Sequence, residues 1–215
     1  MKKIKYSEIT PEKIYNNRRS FIKSIGFGTG LIATSSFPFL NNALANNESK
    51  LTSYKDITTY NNYYEFGTAK GDPYKNAQNF KTEPWNISIE GEVENPINIS
   101  MEEISDKFTS EERVLRLRCV EGWSMVIPWM GFSLNQLLSK VILTSKAKFV
   151  EFESVYDPEQ MKGQRSPVLN WPYKEGLRID EAMHPLTTVV TGLYNKKLPN
   201  QNGAPLRIFI PWKYG

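Results

Sequence analysis

Hydrophobic and polar residues alternate most clearly from Val114 to Val120, where Leu115, Leu117 and Cys119 share one face and Arg116 and Arg118 the other. A period of two predicts a strand. Glu121-Gly122 breaks the pattern, which places Cys119 at or near the strand end. Trp85 to Ile99 also alternates and turns at Glu94-Asn95-Pro96, and Ala147 to Val155 predicts another strand, with Val150, Phe152 and Ser154 on one face. Helical signals are brief. Ser100-Met101-Glu102-Glu103 is a capping box opening a helix to about Phe108. Ser133-Leu134-Asn135-Gln136 has the same form, and Leu134, Leu137, Leu138 and Val141 follow at helical spacing. Asn46 to Thr59 is polar and is expected to be loose, whereas Tyr60-Asn61-Asn62-Tyr63-Tyr64-Glu65-Phe66-Gly67 predicts a turn whose aromatics pack and whose amides hydrogen-bond. Short alternating runs between Pro, Asn and Gly clusters define an α+β class, with mostly antiparallel or mixed sheets and few short helices.

With 215 residues and 40% hydrophobic content, the chain is expected to build one globular domain with a sizeable core. Its formal charge of +4 does not mark a nucleic-acid binder. Residues 1–45 hold seven Lys/Arg against two Asp/Glu, which leaves 20 of the 27 basic and 21 of the 23 acidic residues in 46–215. The body therefore lacks the basic stripe that nucleic-acid binding requires. One cysteine excludes an intramolecular disulfide and an all-cysteine zinc or iron–sulfur site within the chain, and one histidine, His184, leaves little for an imidazole cage.

The excess charge belongs to a leader. Asn17-Arg18-Arg19-Ser20-Phe21-Ile22-Lys23 is a twin-arginine pattern, Ser24 to Leu40 is a short apolar run rich in small residues, and Ala43-Leu44-Ala45 is a small-x-small cleavage site. Residues 1–45 thus read as a twin-arginine signal peptide and residues 46–215 as the mature domain. Such signals address the export of folded proteins, so a periplasmic protein carrying a cofactor loaded before export is expected.

Cys119 is the centre of the candidate chemistry. A lone cysteine is usually a small buried hydrophobe. Beside a glycine turn and two basic side chains it also reads as a thiolate presented to a metal. The stretch Arg118-Cys119-Val120-Glu121-Gly122-Trp123-Ser124-Met125-Val126-Ile127-Pro128-Trp129-Met130-Gly131-Phe132-Ser133-Leu134 resembles the cysteine segment of the molybdopterin-dependent methionine sulfoxide reductase catalytic subunits (the MsrP family, formerly YedY) in the sulfite oxidase superfamily. The YNNYYEFG segment, Asp157-Pro158-Glu159-Gln160-Met161, the DEAMHPLT turn from Asp180 and Asn202-Gly203-Ala204-Pro205-Leu206-Arg207 also resemble family segments.

The resemblance implies a sulfite oxidase-type fold. It implies a molybdenum–molybdopterin cofactor with Cys119 as the metal ligand and catalytic residue, and with Asn61, Tyr64, Glu65, Ser154, Asn202 and Arg207 as cofactor contacts. The family has threonine where Ser154 stands. The implied activity is reduction of methionine sulfoxide in oxidised periplasmic proteins, with electrons from a membrane haem-binding, quinol-linked (MsrQ-like) partner. The family pattern continues past Pro211-Trp212-Lys213-Tyr214-Gly215, so relative to it the chain looks C-terminally truncated. Competing readings are a molybdoenzyme for small S- or N-oxides or sulfite, and an exported binding module or inactive fragment in which Cys119 only packs. His184, beside a proline, reads as structural rather than as a base. Trp123 and Trp129 read either as core or as the mouth through which substrate enters.

Overall fold

The computed structural model describes residues 50–119 and 121–214; the twin-arginine segment and the Ala43-Leu44-Ala45 site lie outside them. Among the described residues no helix is long and apolar enough to cross a membrane. The elements are short, as the sequence pattern predicts. In order they are α1 (Tyr54–Thr59), α2 (Asp72–Asn76), β1 (Asn86–Ile89), β2 (Ile97–Ser100), α3 (Met101–Lys107), β3 (Glu111–Arg118), β4 (Ser124–Ser133), α4 (Leu134–Leu138), β5 (Phe149–Glu153), β6 (Lys174–Arg178), α5 (Ile179–Ala182), β7 (Thr188–Leu193), β8 (Lys196–Lys197), β9 (Arg207–Phe209) and α6 (Pro211–Tyr214). Among the described residues there are also three 3-10 turns, at Tyr64–Phe66, Lys162–Arg165 and Asn200–Asn202.

All strand pairings are antiparallel. β1 pairs with β2, and β5 with β6. The main sheet runs β3-β4-β7-β8, and β9 also pairs with β7. β3 and β4 form a hairpin in register from Glu111↔Gly131 to Arg118↔Ser124, so Cys119 stands at its tip, one residue past the end of β3. In the β4–β7 pairing the register shifts between Met130 and Gly131. Gly192 faces Met130 but Val190 faces Gly131, so β7 carries Thr191 as an additional residue. A bulge of this kind re-aims side chains, and here it puts Val190 and Leu193 in the same apolar cluster.

The sheet separates two cores. Phe132, Leu134, Leu137, Leu138, Ile104, Phe108 and Val189 pack on one face with α3 and α4. Met125, Ile127, Trp129, Val190, Leu193, Leu198, Phe209 and Ile57 of α1 pack on the other. A third cluster joins Phe66, Ala77, Phe80 and Met161, which ties the Tyr64–Phe66 turn to its surroundings.

Three local expectations change. Tyr54–Thr59 is helical rather than loose: Ser53 Oγ accepts from the Asp56 amide as an N-cap, and Ile57 is buried. Ser133 precedes α4 but caps nothing with its side chain. Its Oγ donates to the Pro185 carbonyl at 2.6 Å and accepts from Arg113 Nη2 at 3.0 Å, so tertiary contacts have taken the hydroxyl. Helix α4 also ends before Val141, which is buried beyond it. The Ser100 box forms as predicted, with both reciprocal bonds present.

Candidate active site

At the hairpin tip the Cys119 amide donates to the Trp123 carbonyl at 2.9 Å, and the Gly122 amide donates to the Cys119 carbonyl at 3.0 Å. Gly122 has φ +88°, a left-handed conformation that suits glycine. The tight turn holds the thiol in a fixed place. Cys119 is only 7% exposed, and its Sγ accepts a hydrogen bond from Asn62 Nδ2 at 3.2 Å. Hydrogen bonds donated to a sulfur are one means by which a protein tunes a metal–thiolate bond. Among the described residues no group of three or more His, Cys, Asp or Glu side chains converges to hold a metal. A metal at Cys119 would therefore take its other ligands from a cofactor.

The Tyr60–Gly67 segment lies against this tip. Tyr64 OH donates to Glu121 Oε1 at 3.1 Å, so the predicted residue Tyr64 meets the cysteine loop through a carboxylate. Glu121 also accepts from Lys70 Nζ at 2.6 Å and from Trp123 Nε1 at 3.0 Å, which holds its carboxyl below the usual carboxylate range. Glu65 is buried, and burial raises its pKa above the usual carboxylate range, offset only in part by a backbone hydrogen bond and by Arg207. Burial lowers the pKa of Arg207, and the charges of Tyr63 and Glu65 act the other way. Tyr63 is shifted up, first by burial and then by Glu65.

Asn61 and Asn202 converge from distant parts of the chain. Both are buried, and both donate an Nδ2 hydrogen to the Ile57 carbonyl, each at 3.0 Å. Each Oδ1 then points away from that carbonyl. Arg207 donates to the Asn202 carbonyl at 3.1 Å and lays its guanidinium 5.4 Å from the Trp129 ring centroid. Arg207 is therefore an inward-facing cation on an aromatic floor, not a surface ion pair. Trp129 is 1% exposed and belongs to the core. Trp123 is half-buried beside the thiol loop, so of the two only Trp123 is placed to border an entrance.

Ser154, just past β5, is reached less directly. Gln164 accepts from the Asp157 amide at 2.8 Å and donates to the Val155 carbonyl at 2.8 Å, which fixes the segment after Ser154. Gly163 beside it packs on the Tyr64–Glu65 turn so closely that a Cβ would collide with the Tyr64 carbonyl oxygen. The 162–165 turn is thus the link between Ser154 and the rest. His184 Nδ1 accepts from the Leu186 amide at 3.1 Å, a turn-stabilising role that matches the structural reading.

Four buried side-chain polar atoms have no hydrogen-bond partner among the described residues: Asn61 Oδ1, Asn202 Oδ1, Ser154 Oγ and Trp129 Nε1. Each such atom costs ~1–3 kcal/mol. Three of the four belong to residues that the family resemblance implies as cofactor contacts, and the fourth belongs to the ring beneath Arg207. Two amide acceptors, a hydroxyl and a guanidinium suit a ligand that carries both ring N–H donors and a phosphate. The residues present therefore fit a molybdopterin. Asn62, Lys70 and Glu121 escaped sequence reasoning. The doubled asparagine and the carboxylate two positions after the cysteine were the available signals.

Comparison with known proteins follows the same line. Residues 74–215 match the family described as oxidoreductase molybdopterin binding domain. Protein-methionine-sulfoxide reductase catalytic subunits MsrP are similar over nearly the whole chain. The one from Burkholderia mallei is 48% identical, over 97% of this chain and 68% of its own length. The one from Xanthomonas axonopodis pv. citri is 49% identical, over 97% and 69%. The one from Pseudomonas syringae pv. tomato is 45% identical, over 98% and 71%. The chain belongs to the MsrP catalytic subunit family, within the molybdopterin-binding oxidoreductases. The crystal structure of the sulfane dehydrogenase SoxCD from Paracoccus pantotrophus shares the fold with TM-score 0.51 and 14% identity, over 67% of this chain and 36% of that one. At that identity the likeness concerns fold alone.

Proposed function

We propose that this chain is the catalytic part of a reductase that returns methionine sulfoxide residues of oxidised proteins to methionine at a molybdenum–molybdopterin centre. The relatives' names supply the substrate class. The observation that carries the reading is the buried Cys119 Sγ, held by Asn62 at the hairpin tip, on the same side of the sheet as Asn61, Asn202 and Arg207. When bound, the cofactor supplies two-electron oxygen-atom acceptance: the S=O bond breaks, and two electrons and two protons yield methionine and water. The protein's residues bind and orient. Cys119 offers the thiolate, a soft ligand of the kind that soft metal sites select. Arg207 would hold the cofactor's phosphate, and Asn61, Asn202 and Ser154, whose side-chain oxygens have no partner among the described residues, would hold its polar edges. Tyr64 and Glu65 hold the turn that faces the thiol loop.

Twin-arginine export to the periplasm and electron supply by a membrane haem-binding, quinol-linked subunit belong to the same proposal. They rest on Arg18-Arg19, the Ala43-Leu44-Ala45 site and the family resemblance. The test uses protein loaded with cofactor and an artificial electron donor, with oxidised protein, free methionine sulfoxide and sulfite as alternative substrates. Turnover on oxidised protein and its loss in Cys119→Ser, with metal content and fold measured alongside, are the expected results. Normal turnover in the serine variant, or sulfite as the only substrate, overturns the reading.

A further inference from the structure

Lys70 lies outside the residues assigned above, yet it touches both segments that meet at the thiol, the Tyr60–Gly67 segment and the cysteine loop. Its backbone carbonyl accepts from the Asn61 amide at 2.9 Å. Its ammonium stands 5.5 Å from the Tyr64 ring centroid and 2.6 Å from Glu121 Oε1. Its own chain is anchored on both sides, because the Asp72 amide donates to the Ala69 carbonyl and Asp72 Oδ2 accepts from the Ala69 amide, each at 2.9 Å. Glu121 is held as firmly. One oxygen takes Lys70 and Tyr64, and the other takes the Trp123 indole, three donors from three stretches of chain.

Exposed ion pairs contribute little, chiefly because two mobile side chains must be ordered. Here the Lys70 and Glu121 side chains are 24% and 29% exposed, and the partners of both are already ordered. The charge-assisted contact therefore acts less on global stability than on where the loop rests. In that loop Cys119 precedes Glu121 by two residues and is closed onto Trp123 by a backbone bond. The carboxylate and the sulfur are thus carried by one short, hydrogen-bonded loop.

We propose that Lys70 is a positioning residue that fixes the Cys119–Trp123 loop against the Asn61–Glu65 turn through Glu121, so that thiol and turn meet one cofactor at a set separation. The inference rests on the reading of Cys119 as the metal ligand. The variants are Lys70→Met, Lys70→Gln and Lys70→Arg in the full chain. Hydrogen exchange at the Cys119 and Gly122 amides reads the loop directly. In Lys70→Met exchange should be about tenfold faster, because the loop opens without the fold opening. Lys70→Gln should change in the same direction and Lys70→Arg should restore protection. In loaded protein the sulfur-to-metal absorption band should shift and kcat should fall with KM little changed, again with rescue by arginine. Unchanged exchange in the methionine and glutamine variants, or no rescue by arginine, overturns the proposal. Failure of the Cys119 assignment appears separately, as metal retained and turnover normal in Cys119→Ser while the Lys70 effect on loop exchange persists.

Discussion

On the face of the main sheet that carries Phe132 and Val189, aromatic and aliphatic side chains pack against one another, beside a cavity of about 330 Å³ lined by Ile104, Phe108, Phe132 and Thr191. Phe108 stacks on Phe132 with centroids 4.5 Å apart and planes 7° from parallel, and the leucines of α4 close the layer. On the opposite face, Trp129 and Val190 lie under Ile57 and the Asn200–Asn202 turn, and polar atoms reach into the layer without partners. Phe132 and Trp129 come from the same strand and are both 1% exposed. The difference between the faces is therefore not burial but composition: the Phe132 cluster is apolar, and the Trp129 face has two amide oxygens without partners and a guanidinium over the ring. A layer of that second kind costs stability unless a ligand completes it.

The largest expected effect sits on the Phe132 face. Phe132→Ala removes a buried ring stacked on Phe108, at ~3–5 kcal/mol. Denaturant unfolding should show the same loss with and without cofactor. A loss that appears only in loaded protein would mean that both faces serve the cofactor and would erase the contrast.

Asn202→Ala comes next and should behave in the opposite way. Without cofactor it gives up one hydrogen bond to the Ile57 carbonyl, which Asn61 still supplies, at a cost of ~1 kcal/mol. Loaded protein should lose more, because stabilisation by a ligand falls by ~1.4 kcal/mol for each tenfold loss of affinity. Unfolding midpoints measured with and without cofactor give the two numbers. Equal shifts in both forms would show that the amide only packs.

How much of this the sequence discloses depends on the range of the interactions. β3, with half-buried leucines alternating with exposed arginines, is legible because its pattern is local. The arrest of that strand at Cys119 is legible for the same reason. Helix α1 is not legible, because a six-residue, mostly polar stretch is held helical by the burial of its one aliphatic residue, Ile57, against a sheet far along the chain. The shared use of the Ile57 carbonyl by Asn61 and Asn202 is likewise invisible to periodicity, since 141 positions separate the two asparagines. Family resemblance named those residues but not how they meet. It also passed over Asn62, the neighbour that donates to the thiol.

The two serine boxes give the smallest and most local test. Ser100 and Ser133 open similar motifs, S-x-x-E and S-x-x-Q, and local reading treats them alike. In the structure Ser100 Oγ accepts from the Glu103 amide at 3.2 Å, and the Glu103 carboxylate accepts from the Ser100 amide. Ser133 instead joins Arg113 to the Pro185 carbonyl and serves the sheet. Ser100→Ala should cost ~1 kcal/mol as a lost cap, and hydrogen exchange at the Glu103 amide should quicken while the sheet is untouched. Ser133→Ala should leave α4 as it is and loosen the sheet, because Arg113 and a carbonyl lose a partner in a buried place. Exchange at Thr188 and Leu134, whose neighbours the Ser133 hydroxyl holds, is the place to look. Faster exchange confined to α4 would return Ser133 to the role that its sequence suggests.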